Sequence, residues 1–120
     1  MVPVDRLDRL ASEPDALPFA VFFERQADGV VRLTVEGELD LPATTILRNA
    51  AVAAIDTQPR SVVLDMWRLT FLDAAGAREL YALTTRASRS GVDLSLRGVR
   101  GEPRRALELL GIAALLVLEE

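Results

Sequence analysis

Apolar and polar positions first alternate over Phe19–Gln26 and Val30–Gly37. In the second segment Val31, Leu33 and Val35 interleave with Arg32, Thr34 and Glu36. That period of two marks a strand with one buried and one wet face. Ala27-Asp28-Gly29 between the segments predicts a hairpin. The period then changes. Over Pro42–Asp56 the apolar residues Ile46, Leu47, Ala50, Ala53 and Ala54 fall at helical spacing and form the predicted inner stripe. Pro42 suits the first helical turn, and Pro59 ends the following connection. Ser61–Met66 carries Val62, Val63 and Leu64 in a continuous run, which predicts a strand buried on both faces. After a loop holding Trp67, a helix is predicted over Ala74–Ser90, its apolar spacing Ala77, Leu80, Tyr81, Thr84. Asp73, three residues before Gly76, is its N-cap, and Gly91 its stop. Val92, Leu94 and Leu96 alternate with Asp93, Ser95 and Arg97 in a further strand. A helix over Glu102–Leu110 follows, closed by Gly111. Ala114–Leu118 is short enough to be either a strand or an apolar helix, and periodicity leaves the two open.

The order β-β-α-β-α-β-α-(β) implies an α/β chain, with a mixed four- to five-stranded sheet and helices packed mainly on one face. The domain is expected over residues 19–118. Residues 1–18 read as an N-terminal extension. Val4, Leu7, Leu10 and Ala11 lie at helical spacing opposite Asp5, Arg6, Asp8 and Arg9, and Pro14 and Pro18 break any helix. The alternatives are a short helix, packed on the domain or frayed in solvent, and a partner-binding or weakly homodimerising segment.

Composition narrows the chemistry. At 120 residues, half of them hydrophobic, the chain supports one core. It holds no apolar run of about eighteen residues, and it begins with the charged MVPVDRLDRL, so a cytoplasmic chain with no direct membrane contact is expected. There is no Cys, no His and no Lys; all fourteen cations are Arg. Thiol nucleophiles, histidine bases, Schiff-base lysines and the P-loop lysine are therefore excluded. A net charge of −4 argues against nucleic-acid binding. No metal, cofactor or catalytic residue is expected, and the composition points to a binding module rather than an enzyme.

The helix start after Asp73 is the most informative place. Such a terminus favours anions through its unpaired N–H groups and its dipole, so a regulatory phosphate would suit it. The residues standing there are Ala74 and Ala75, which have no hydroxyl.

Four segments in this order resemble the STAS domain of bacterial anti-sigma factor antagonists, over about residues 19–118. Gly37-Glu38-Leu39-Asp40 is similar to that family's G-E-L-D. Val63-Leu64-Asp65, followed by Leu69-Thr70-Phe71-Leu72-Asp73-Ala74-Ala75-Gly76, is similar to its V-L-D-L-x-x-L-x-F-(I/M/L)-D-S-S-G. Gly91-Val92-Asp93-Leu94 and Leu107-Glu108-Leu109-Leu110-Gly111-Ile112 resemble its G-x-x-L strand and closing helix. The resemblance implies a STAS-like fold and a regulator that binds an anti-sigma factor kinase and so frees a sigma factor. It also implies loss of binding when the first Ser of D-S-S-G is phosphorylated. Ala74 matches that Ser and Ala75 the second, so the chain departs from the family at the regulatory position and is expected to stay in an unphosphorylated-like state.

The expected partner surface is Asp40, Asp73, Ala74, Ala75, Gly76 and Arg78. Asp40 and Asp73 have capping as their alternative role, and Asp65 is expected to be structural. Trp67 is either a lid on the core or, if exposed beside Ala74, an interface residue. Thr70, Thr84 and Thr85 are the hydroxyls nearest the region. Arg97, Arg100 and Arg104, with Arg105, form an arginine-rich stretch around Gly98 and Gly101 that would suit a phosphate or nucleotide ligand, or is only solvated and paired locally. Two further functions stay open: an accessory subunit of an ABC-type lipid transporter, and a small-ligand or nucleotide sensor.

Overall fold

A computed structural model describes residues 19–120. The extension predicted over residues 1–18 lies outside the described residues. The element order is β1 (Ala20–Arg25), β2 (Val30–Leu39), α1 (Leu41–Asp56), β3 (Ser61–Leu72), α2 (Ala74–Arg89), β4 (Asp93–Arg97), α3 (Gly101–Leu109), a 3-10 turn (Ala113–Leu115) and β5 (Leu118–Glu119). The strands lie in sequence order in one five-stranded sheet. β1 and β2 form the antiparallel hairpin, from Ala20 opposite Glu36 to Arg25 opposite Val31. The pairs β2–β3, β3–β4 and β4–β5 are parallel. Right-handed crossovers that always step the same way across a sheet place their helices on one face. The buried residues agree: one cluster joins Val31, Leu33, Leu64, Met66 and Leu96 of the strands to Leu47, Leu80, Leu83 and Leu107 of the helices.

Three details differ from the sequence-based expectation. β3 is not buried on both faces. Val62, Leu64 and Met66 are buried while Ser61, Val63 and Asp65 are half-buried, because only one face of the sheet carries helices. β3 also runs on to Leu72, so Trp67 lies in the strand and not in a loop. Two steps of β2 from Thr34 to Glu36 face three of β3 from Asp65 to Arg68, and one step from Gly37 to Glu38 faces two from Leu69 to Phe71. Each is a β-bulge that inserts one extra β3 residue. The buried positions therefore pass from Met66 to Leu69 to Leu72, a spacing of three that hides the strand from any search for alternation.

α1 is turned relative to its predicted stripe. Leu47 and Ala54 are buried as expected, but Ile46 and Ala50 are half-buried and Ala53 is exposed; Ala43, Ala51 and Ile55 take the inner positions. The run Ala50–Ala54 offers small apolar groups on every side, so composition does not set its phase. In α2 the buried stripe is Gly76, Ala77, Leu80, Leu83 and Ala87, whereas Tyr81 points outward. The helix ends in a Schellman arrangement: Gly91 at φ +75° donates to the Ser88 carbonyl at 3.1 Å, and Val92 donates to that of Ala87 at 2.9 Å. The open alternative at the C-terminus resolves into a 3-10 turn followed by a short parallel strand.

Candidate functional site

Leu39 and Leu72 are register partners at the ends of adjacent parallel strands, so α1 and α2 start side by side. The two starts are built alike. Asp40 (φ −103°, ψ −176°) and Asp73 (φ −104°, ψ −174°) are both extended N-caps. Asp40 Oδ1 accepts from the Ala43 amide at 3.1 Å, and Asp73 Oδ1 accepts from the Gly76 amide at 2.9 Å. Each cap gives a first-turn amide a side-chain acceptor, a contribution of about 1 kcal/mol. The starts are also tied together, since the Asp73 amide donates to the Leu39 carbonyl at 3.3 Å.

Gly76 explains how close they lie. A Cβ added there would stand 2.4 Å from the Leu39 carbonyl oxygen. The first turn of α2 thus rests directly on the end of β2, and only glycine leaves room. Ala74 and Ala75 occupy that first turn, half-buried, with Arg78 exposed one turn further on. The structure therefore brings Asp40, Asp73, Ala74, Ala75 and Gly76 together, with Arg78 at their border.

Two apolar residues extend this surface without having been singled out from sequence: Leu41 is 67% exposed and Tyr81 44%. The signal for Leu41 was its place between the capping Asp40 and Pro42, at the very start of a helix whose buried residues begin at Ala43. The two nearby threonine hydroxyls with described partners are both bonded to backbone. Thr70 donates to the Gly37 carbonyl at 3.1 Å and Thr84 to that of Leu80 at 2.9 Å.

Trp67 is exposed but not beside Ala74. It precedes Asp73 by six residues of strand, a separation of about 15–20 Å at a strand's rise per residue. Two guanidiniums lie over its indole, Arg68 at 4.6 Å and Arg100 at 5.7 Å from the ring centroid. Arg100 Nε also donates to the Trp67 carbonyl at 3.4 Å, and a Cβ added at Gly98 would stand 3.0 Å from the Trp67 Cβ. Asp65 is half-buried, accepts from the Trp67 amide at 3.4 Å and faces Arg32 at 4.0 Å.

The arginine-rich stretch does not converge. Arg97 faces Glu119 at 3.9 Å across the β4–β5 pair, and Arg104 faces Glu108 at 3.5 Å along α3. Arg100 is taken up by Trp67, and Arg105 is exposed. A strand end, a helix cap and a helix face point these side chains in separate directions.

One contact was missed entirely. Arg48 of α1 donates through Nε (3.1 Å) and Nη2 (2.6 Å) to Glu79 Oε1 of α2, a carboxylate only 7% exposed. The hydrogen bond and then the charge of Glu79 raise the Arg48 pKa above the ordinary arginine value, against a smaller opposing effect of desolvation. The available signal was a Glu lying between Gly76, Leu80 and Leu83 on the inward stripe of α2.

The family model described as Mlab, STAS domain, matches residues 22–118. The chain belongs to the STAS domain family. Solved structures similar to this STAS domain include an anti-sigma factor antagonist from Mycobacterium paratuberculosis, at 24% identity and a TM-score of 0.72, covering 88% of this chain and 87% of that one. The anti-sigma factor antagonist SpoIIAA in its unphosphorylated form is 19% identical with a TM-score of 0.68, covering 82% and 87%. A sulfate transporter family protein from Wolinella succinogenes is 22% identical with a TM-score of 0.68, covering 80% of each chain. At these identities the likeness establishes the shared fold. No curated protein sequence matches the chain. Among the described residues, no helix of this STAS domain is long and apolar enough to cross a membrane.

Proposed function

We propose that this STAS domain is a regulatory protein-binding module, an anti-sigma factor antagonist that binds an anti-sigma kinase and so releases a sigma factor. Its mechanism is occupancy of the kinase surface, with no covalent chemistry. The observation that carries the reading is the pair of helix starts held together by the Asp73–Leu39 hydrogen bond. Ala74 and Ala75 lie half-buried in the first turn of α2, with the exposed Arg78 and Tyr81 further along that helix and the exposed Leu41 at the start of α1. Similarity to solved antagonists supports the same reading.

A phosphate at position 74 would bring a charge of roughly −1.5 to −2 next to two carboxylates and to whatever partner is docked there. Alanine cannot accept one. The surface is therefore constitutively competent, and control falls to the amount of protein or to a second partner.

The test compares the native chain with Ala74→Asp, both immobilised and exposed to lysate of the source cells. An acidic residue in the first turn of a helix is favoured by the dipole, by about 0.3–1 kcal/mol, so the variant should stay folded. The native bait is expected to retain a kinase-like anti-sigma factor and the variant to lose it by about tenfold or more, as expected when a like charge is placed in an interface. Equal retention by both baits removes the proposal. A second reading, an accessory subunit of an ABC-type transporter, draws on the sulfate transporter family protein among the similar structures. A transporter ATPase held equally by both baits would favour it.

A further inference from the structure

The outer side of the helical layer carries a groove of about 610 Å³ between α1 and α2. Its lining is apolar at Val52, Ala82 and the buried Leu83, and polar at Arg48, Thr85, Arg86, Arg89 and Ser90. Glu79 is the one carboxylate lining it and is already engaged by Arg48. Among the described residues, Arg86 and Arg89 have no ion-pair partner. Both lie in the last turns of α2, whose dipole accounts for about half a unit of negative charge. Two exposed guanidiniums exceed what that dipole balances. The groove is a local positive site on a chain of net charge −4.

A simple oxyanion would satisfy the arginines and leave Val52 and Ala82 in contact with water. An amphipathic segment satisfies both, with apolar side chains on Val52 and Ala82 and carboxylates toward Arg86 and Arg89. A groove between two helices suits such a segment. We propose that the α1–α2 groove is a docking site for an acidic amphipathic segment of a partner protein. The site is distinct from the one at Ala74. Arg86 lies twelve residues further along α2, about 18 Å at the rise of a helix, so both surfaces can be occupied at once.

The test uses the full-length native chain and a fluorescein-labelled synthetic peptide with Glu on one helical face and Leu on the other, followed by anisotropy. The comparison is the double variant Arg86→Glu/Arg89→Glu. Both positions are exposed, and neither touches Asp40, Asp73 or Ala74. Binding to the native chain is expected to weaken about tenfold or more in the variant, and also on raising the salt concentration. A peptide of the same composition with scrambled order should bind less well. If circular dichroism shows the variant to be unfolded, Arg86→Gln/Arg89→Gln carries the same expectation at about threefold. Equal peptide binding by native and charge-altered chains overturns the proposal. So does saturation by inorganic phosphate in place of the peptide, or binding to phosphatidylglycerol vesicles without binding to the peptide.

Discussion

An added Cβ at Gly76 would meet the Leu39 carbonyl oxygen at 2.4 Å and the Leu39 Cγ at 2.9 Å. Both neighbours belong to the end of β2, which α1 and the sheet hold in place. Helix propensity alone favours Gly76→Ala by about 1 kcal/mol. Overpacking against fixed backbone costs about 1–3 kcal/mol, and the shift would also stretch the hydrogen bond from Asp73 to Leu39. Gly76→Ala is therefore expected to destabilise the protein by up to about 2 kcal/mol once that gain and this cost are combined, measured by urea unfolding. A raised unfolding midpoint would show instead that the start of α2 can withdraw from β2. The D-x-x-G spacing was legible in the sequence, and so was the capping role of Asp73. That Gly76 is needed for space was not, because the atom it avoids lies thirty-seven residues earlier in the chain.

The elements themselves were legible wherever periodicity was clean. β4 and the first half of β2, Val30–Val35, alternate strictly, and α2 has an apolar stripe bounded by a capping Asp and a stopping Gly. α1 shows the opposite case. Its alanines fit several rotations, and packing on β2 and α2 selected the one that buries Ala51 and exposes Ala53. The phase can be tested directly. Ala51→Arg would force a charge into a fully buried site and is expected to cost more than about 3 kcal/mol. Ala53→Arg is expected to stay within about 0.5 kcal/mol of the native chain. Thermal unfolding of the two variants checks this, and similar losses in both would mean that the helix is turned differently. The far half of β3 was missed for a related reason: two bulges changed its buried spacing from two to three.

Across the whole molecule, the buried core runs from Val31 to Leu116 within the described residues. A chain beginning at Phe19 is accordingly expected to unfold in one cooperative transition, with stability in the range of about 5–15 kcal/mol usual for single domains. Urea unfolding of this shortened chain beside the full one checks that boundary. A loss of more than about 2 kcal/mol, large for a single added segment on that scale, would mean that residues 1–18 supply part of the core.

What the sequence by itself determined was the order of elements, the caps and stops of α2, and the fold class, because these rest on interactions between residues close in the chain. It also restricted the chemistry, since a chain without Cys, His or Lys has few ways to form covalent intermediates. Only the tertiary structure decided which residues meet. It set Asp40 beside Asp73 through the parallel register of β2 and β3, moved Trp67 away from Ala74 along a bulged strand, and turned Arg97, Arg100 and Arg104 toward three different neighbours. It likewise joined Arg48 to Glu79 and opened the groove beside them. Each of these depends on strand register, bulge position or helix rotation, which are set by packing between distant segments and leave no local pattern to read.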